Sequence, residues 1–186
     1  MQHEVMFAGF GGQGIMTAGK LLALAGMAEG REVCWIPSYG PEMRGGTAYC
    51  TVVLADRLIG SPVVNDPESI CVFNPPSLEK FGPRVRPGGL LLINSSLVEA
   101  RAGRPEITEV LVPCNDIANR LRNPRSLNLV GLGAFVASSG YVALDSQRAA
   151  LRREFGRKGD VLAAALEVFE AGVEVGLAAR REMVCR

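Results

Sequence analysis

At 186 residues, with 48% hydrophobic side chains and 20 basic against 19 acidic groups, the chain suits one sheet covered on both faces. It lacks the charge excess that draws nucleic acid or an anionic membrane. The longest apolar runs, 15–28 and 127–138, are shorter than a bilayer span and are broken by Lys20 or by glycines. No basic leader with a cleavage site opens the chain, so no membrane span is expected and a cytoplasmic location is.

The first element in chain order is the most informative. Val5-Met6-Phe7-Ala8 reads as a strand over 4–8 and runs into Gly9-Phe10-Gly11-Gly12-Gln13-Gly14, after which a helix is expected over 14–28. A strand, a glycine-dense turn and a helix N-terminus together aim backbone N–H groups outward, a setting that attracts phosphate, carboxylate or a partner's backbone. The glycines match Gly-x-Gly-x-x-Gly, but the dinucleotide fingerprint also needs an acid closing the second strand. That strand, Glu32–Ile36, ends in Pro37-Ser38 without one. Two readings stay open: a ligand turn, or a tight strand-to-helix turn that needs small residues for packing.

Residues 38–47, Ser-Tyr-Gly-Pro-Glu-Met-Arg-Gly-Gly-Thr, make a long connection holding Tyr39, Glu42 and Arg44. Loops of this kind carry function more often than packing. If the first two strands are parallel neighbours, this loop leaves the same edge of the sheet as the glycine turn, where open α/β sheets bind ligands. Arg44 then suits an anion by bidentate geometry, or pairs internally with Glu42. Further strands are expected over 47–54, 69–73, 89–94 and 108–112, with Asp56-Arg57-Leu58-Ile59 able to fold back on the third strand. A short helical piece near 76–81 follows Pro75-Pro76. Helices are expected over 114–122, 127–138, 145–155 and 160–182. Strand–helix alternation predicts a three-layer α/β/α sandwich with a mostly parallel or mixed, Rossmann-like sheet, one domain spanning 1–186.

Asn128–Phe135 is apolar nearly all round, so its helix belongs beneath other layers or in an interface. In the last helix Leu162, Leu166, Phe169, Val173 and Leu177 form one apolar stripe. Gly172 and Gly176 each cost about 1 kcal/mol of helix propensity relative to alanine, which predicts close approach by another backbone. The cluster Arg148, Arg152, Arg153, Arg157 and Lys158 reads as a solvated helix face.

Cys34, Cys50, Cys71, Cys114 and Cys185 are far apart and form no Cys-x-x-Cys pair, so reduced thiols packed mostly in strands are expected and no cluster or zinc pattern is present. There is no phosphate-binding Gly-x-x-x-x-Gly-Lys loop. The single histidine, His3, has no catalytic company in the sequence.

The pair Gly-Phe-Gly-Gly-Gln-Gly (9–14) and Ser-Tyr-Gly-Pro-Glu-Met-Arg-Gly-Gly (38–46) resembles the gamma subunit of the 2-oxoacid:ferredoxin oxidoreductases. The match is closest to the 2-oxoglutarate branch. The pyruvate and indolepyruvate branches share the first motif but differ around the Arg-Gly pair. The likeness is strong as far as Lys80, including Asn74-Pro75, and continues more loosely through Asn128–Phe135 to the end.

The resemblance implies an enzyme that decarboxylates a 2-oxo acid on thiamine diphosphate with Mg²⁺. It passes electrons through [4Fe-4S] clusters to ferredoxin and releases an acyl-CoA. It also implies that those cofactors lie in alpha, beta or delta-like partner chains. This chain is then a non-catalytic gamma subunit, inactive in isolation and holding no cofactor or metal alone. Carried onto this sequence, the contacts for CoA or for a partner subunit are Gly9, Gly11, Gly12, Gln13, Gly14, Tyr39, Glu42 and Arg44. The glycines would let a backbone or phosphate approach, and a branched side chain at Gly12 would obstruct the turn. The apolar composition and the glycine-lined last helix predict an uncovered surface, met by partner subunits or, in isolation, by a homodimer. The residues alone also admit another class, a free-standing nucleotide- or CoA-binding module.

Overall fold

The computed structural model describes residues 1–40, 46–156 and 159–184. In chain order the elements are β1 (Gln2–Phe10), α1 (Ile15–Ala28), β2 (Glu32–Tyr39), β3 (Thr47–Ala55), β4 (Ser69–Val72), α2 (Pro75–Phe81), β5 (Leu90–Asn94), β6 (Thr108–Val112), α3 (Cys114–Arg120), α4 (Leu127–Ser139), α5 (Leu144–Phe155) and α6 (Gly159–Val184). Every strand and helix read from apolar periodicity is present, with ends moved by a few residues.

The six strands form one mixed sheet in the order β2-β3-β1-β4-β5-β6. β1, β4, β5 and β6 are parallel, whereas β3 runs antiparallel to both β1 and β2. Two expectations change here. The first two strands point the same way but are not neighbours, because β3 lies between them. Residues 56–59 form no strand against β3, whose two edges are already taken by β1 and β2; the antiparallel partner of β3 on its outer side is β2, across the 40–46 connection.

β2 is an edge strand. Gly40 N–H donates to the Thr47 carbonyl at 2.9 Å, continuing the β2–β3 ladder. The alternation then turns the backbone groups of Val33, Trp35, Pro37 and Tyr39 to the free edge. Pro37 has no N–H to offer there, which blunts the edge against strand addition.

The two faces are covered unequally. On one, α1, α3, α4, α5 and α6 bury a large cluster including Phe7, Leu92, Leu132 and Phe169. On the other, α2 and the segment around Val98 cover a smaller one including Met6, Ile70 and Phe81. Residues 127–138 of α4 are all buried, as its all-round apolar sequence predicts. Its aromatic contact with the sheet is edge-to-face, Phe7 and Phe135 centroids lying 5.8 Å apart. Gly131 makes room for Phe73: a Cβ there would lie 2.6 Å from the ring.

The glycines of α6 face α4, not an uncovered surface. A Cβ at Gly172 would collide with the Val130 carbonyl, and one at Gly176 with that of Ala134. The expected close backbone approach is therefore present, and it is internal. The buried face of α6 runs through Ala165, Val168, Phe169 and Val173, while Leu177 is 38% exposed; the stripe is rotated from the expected one because the glycines, not the leucines, mark the contact line.

Candidate functional site

β1 ends at Phe10, and the chain turns through Gly11 and Gly12 into Gln13 and Gly14 before α1 begins. Gly14 caps α1 in the left-handed conformation (φ 75°), and a Cβ on it would lie 2.6 Å from the Asn128 carboxamide. Asn128 Nδ2 in turn donates to the Gly14 carbonyl at 3.1 Å, pinning the start of α4 to the start of α1.

Gln13 folds back into the turn. Its Oε1 accepts from Phe10 N–H at 2.7 Å, and its Nε2 donates to the Phe73 carbonyl at 3.2 Å. The carboxamide therefore bridges the C-terminal ends of β1 and β4. The connection from β1 leads toward β2 on one side and that from β4 toward β5 on the other, so this is the point where the order of strands reverses and open α/β sheets take their ligands. A Cβ at Gly9 would lie 2.6 Å from Gln13 Oε1. Gly9 is therefore small to seat Gln13, and part of the motif is committed to internal packing.

The same edge continues as a row of amides. Asn94 closes β5; its Nδ2 donates to Asn115 Oδ1 at 2.8 Å, and its Oδ1 accepts from Cys114 N–H at 3.1 Å. Asn74 Oδ1 accepts from Ser77 N–H at 2.8 Å and caps α2. Asn94, Asn115 and Asn128 were not singled out in the sequence. The available signal was a carboxamide ending an apolar strand run, as in Leu90-Leu91-Leu92-Ile93-Asn94.

Gly11 N–H donates to the Gly46 carbonyl at 2.9 Å, extending the β1–β3 ladder past its last strand pair. This bond ties the glycine turn to the end of the 38–47 connection. The two loops do share an edge, although the reason is that β3 returns beside β1. Tyr39, 54% exposed, joins Phe10, Gly11, Gly12, Gly14 and Met16 around a cavity of about 250 Å³. Gly9, Gly11, Gly12, Gln13, Gly14 and Tyr39 are thus brought to one place. Glu42 and Arg44 lie outside the described residues.

What remains for a ligand is the N-terminal end of α1. No side chain caps it and its first turn holds no acid. At Gly12 (φ 102°) a Cβ would meet nothing within 4 Å, so a branched side chain does not obstruct the turn as expected. The constraint is conformational, since L residues rarely adopt that φ.

Cys50, Cys71 and Cys114 are buried and Cys34 is partly exposed. Burial pushes the Cys50 thiol from its ordinary 9.0 up to about 12, and raises Cys71 and Cys114 as well. Among the described residues no three His, Cys, Asp or Glu side chains lie together as a metal site. Among the described residues no helix is long and apolar enough to cross a membrane.

His3 has more company than the sequence suggests, at the opposite edge of the sheet. Its Nδ1 lies 2.9 Å from Glu68 Oε2, its ring stacks on Tyr141 at 3.9 Å, and the Tyr141 hydroxyl bonds Ser69 Oγ at 2.9 Å. In the basic cluster, Arg148 is not merely solvated: it bonds Glu170 at 2.7 Å and Asp145 at 2.8 Å.

The family profile described as pyruvate ferredoxin/flavodoxin oxidoreductase matches residues 4–175. The chain belongs to this family. It is 38% identical over 173 residues to ketoisovalerate oxidoreductase subunit VorA of Methanothermobacter marburgensis, covering 92% of this chain and 36% of that protein. Its fold is similar to the solved keto/oxoacid ferredoxin oxidoreductase gamma subunit of Geobacter sulfurreducens (TM-score 0.81, 27% identity, 95% of this chain and 99% of that one). It is also similar to the 2-oxoglutarate:ferredoxin oxidoreductase of Magnetococcus marinus, solved with 2-oxoglutarate, coenzyme A and succinyl-CoA bound (TM-score 0.88, 26% identity). There it covers 95% of this chain and 31% of that one, so the chain spans about a third of the length of VorA and of the Magnetococcus protein.

Proposed function

We propose that residues 1–186 form a single accessory gamma-type domain of a cytoplasmic 2-oxoacid:ferredoxin oxidoreductase. The observation that carries this reading is the family match over residues 4–175, with the glycine turn and the Tyr39 loop on one edge of the sheet. Thiamine diphosphate, Mg²⁺ and [4Fe-4S] clusters belong to alpha, beta or delta-like partners, which pass electrons to ferredoxin. This chain alone does not turn over a 2-oxo acid.

In this reading the turn meets either a partner subunit or the phosphates of CoA. An oxyanion suits the uncapped N-terminus of α1 beside Gly12, where the backbone is open to approach. Tyr39 borders that space, and Glu42 and Arg44 add contacts from the neighbouring loop. A free-standing dinucleotide module is less well supported, because the Gln13 carboxamide fills the crevice between β1 and β4. The substrate is a 2-oxo acid, with 2-oxoglutarate favoured by the residues of the 38–46 loop. Ketoisovalerate is a second reading, favoured by the likeness to VorA.

The test is reconstitution with the partner chains and either wild-type protein or Arg44→Ala. Turnover of 2-oxoglutarate and of ketoisovalerate is measured against CoA concentration. The reading expects activity only in the complete complex, and a weaker CoA response or poorer subunit retention with Arg44→Ala. Unchanged assembly and CoA response would reduce Arg44 to a loop-stabilising residue, and turnover by the isolated chain would overturn the accessory role.

A further inference from the structure

Residues 11–14 carry three glycines in four positions, so the local sequence leaves this turn loose and contacts from elsewhere must set its shape. Among the described residues, three hydrogen bonds reach it from other parts of the chain. Gly11 N–H donates to the Gly46 carbonyl at 2.9 Å, Gln13 Nε2 to the Phe73 carbonyl at 3.2 Å, and Asn128 Nδ2 to the Gly14 carbonyl at 3.1 Å. The last of these is the one supplied by a side chain outside the turn. Asn128 is 4% exposed, and its carboxamide fills the place that a Cβ on Gly14 would take.

Asn128 does not act alone. Gly131 stands at i+3 in α4, on the same side of the helix. A Cβ there would lie 2.6 Å from the ring of Phe73, the residue whose carbonyl Gln13 reaches. The start of α4 therefore holds the glycine turn directly at Gly14, and through Phe73 at Gln13. α4 is itself fixed from behind, where the Val130 carbonyl meets Gly172 of α6 with no room for a Cβ. The turn thus takes its position from a buried, tightly packed helix, the kind of support that holds a binding group to a defined place.

We propose that Asn128 is a positioning residue for the glycine turn: it fixes Gly14, and with it the N-terminal end of α1, where CoA or a partner subunit is met. The inference rests on the accessory gamma-type reading above. Asn128 acts through Gly14 and does not itself have to touch what is bound. Its carboxamide is needed as a donor. An aspartate of the same shape would set a carboxylate oxygen against the Gly14 carbonyl, and an alanine would leave that carbonyl with the Ala18 N–H alone, at 3.0 Å.

The test has two arms, each comparing wild type, Asn128→Ala, Asn128→Asp and Ser138→Ala. Ser138 is the control, because it too is buried in α4 and donates to a carbonyl, that of Ala134 at 2.8 Å, but at the far end of the helix from the turn. The first arm follows amide hydrogen exchange of the full chain at Gly11, Gln13 and Ala18, whose N–H groups bond within or across the turn. Both Asn128 variants should speed exchange there by up to roughly tenfold, the loss of one hydrogen bond, while Ser138→Ala leaves these rates level. The second arm reconstitutes the complex with the partner chains. Both Asn128 variants should raise the KM for CoA several-fold or lower retention of the chain, with kcat at saturating CoA and the KM for the 2-oxo acid little changed. Unchanged exchange at all three amides, an unchanged CoA response and retention, full recovery with Asn128→Asp, or equal losses with Ser138→Ala would each overturn the proposal. Turnover by partner chains that does not depend on the added wild-type chain would instead overturn the accessory reading.

Discussion

Gly172 of α6 rests against the carbonyl of Val130 in α4 with no room for a Cβ between them. Gly133 repeats the contact in the other direction, where a Cβ would collide with the Phe169 carbonyl. Two helices in this register touch backbone to backbone, so the cost of glycine in a helix is offset by packing that no larger residue permits.

Gly172→Ala and Gly133→Ala are therefore expected to destabilise the fold by about 1–3 kcal/mol each, the range for overpacking a filled core. In a surface helix the same change would stabilise by up to about 1 kcal/mol. Urea unfolding followed by circular dichroism reads the sign directly. A gain in stability would mean that α4 and α6 are not in contact at these positions.

Gln13→Ala removes the carboxamide that joins Phe10 N–H to the Phe73 carbonyl. Leaving these backbone groups without that partner should cost about 1–3 kcal/mol. Gly9→Ala should act through the same residue, because its Cβ displaces Gln13 Oε1. The double variant is then expected to be less destabilised than the sum of the two single changes. Strict additivity of the two melting-temperature shifts would separate Gly9 from Gln13.

Gly12→Val should be tolerated sterically and penalised conformationally. Nothing lies within 4 Å of the added Cβ, but φ is 102°. Gly12→Asn, which accepts positive φ more readily, should recover part of the lost stability. Equal loss with asparagine and valine would point to a contact with something beyond the chain itself.

The Cys50 thiol gives a pH dependence with a definite sign. Its pKa is raised from 9.0 to about 12 by burial, so the folded state keeps a proton that the unfolded state loses first. Stability is fully present below pH 9 and falls by about 1.4 kcal/mol per pH unit for this thiol as pH rises toward 12. Cys50→Ala should flatten that slope in alkaline unfolding curves. At neutral pH, thiol-reactive dye should label Cys34 rapidly and Cys50, Cys71 and Cys114 only on unfolding.

The sequence alone determined the elements and the glycine turn. Apolar runs such as Leu90–Ile93 and the all-round apolar Leu127–Ser138 announce themselves locally, because strand and helix period and turn chemistry act over a few residues. The shared edge of the 9–14 turn and the Tyr39 loop was also legible from the common direction of β1 and β2, but what ties the two loops together is β3 returning beside β1. Tertiary structure alone decided that β3 slips between β1 and β2 and that α6 turns its glycines, not Leu177, toward α4. It also decided that Gln13 reaches across to Phe73, 60 residues away, and that His3 meets Glu68 and Tyr141. These outcomes depend on which edges and faces other elements have already taken. A local pattern records what a segment can pair with, and only the packed whole fixes what is left for it to meet.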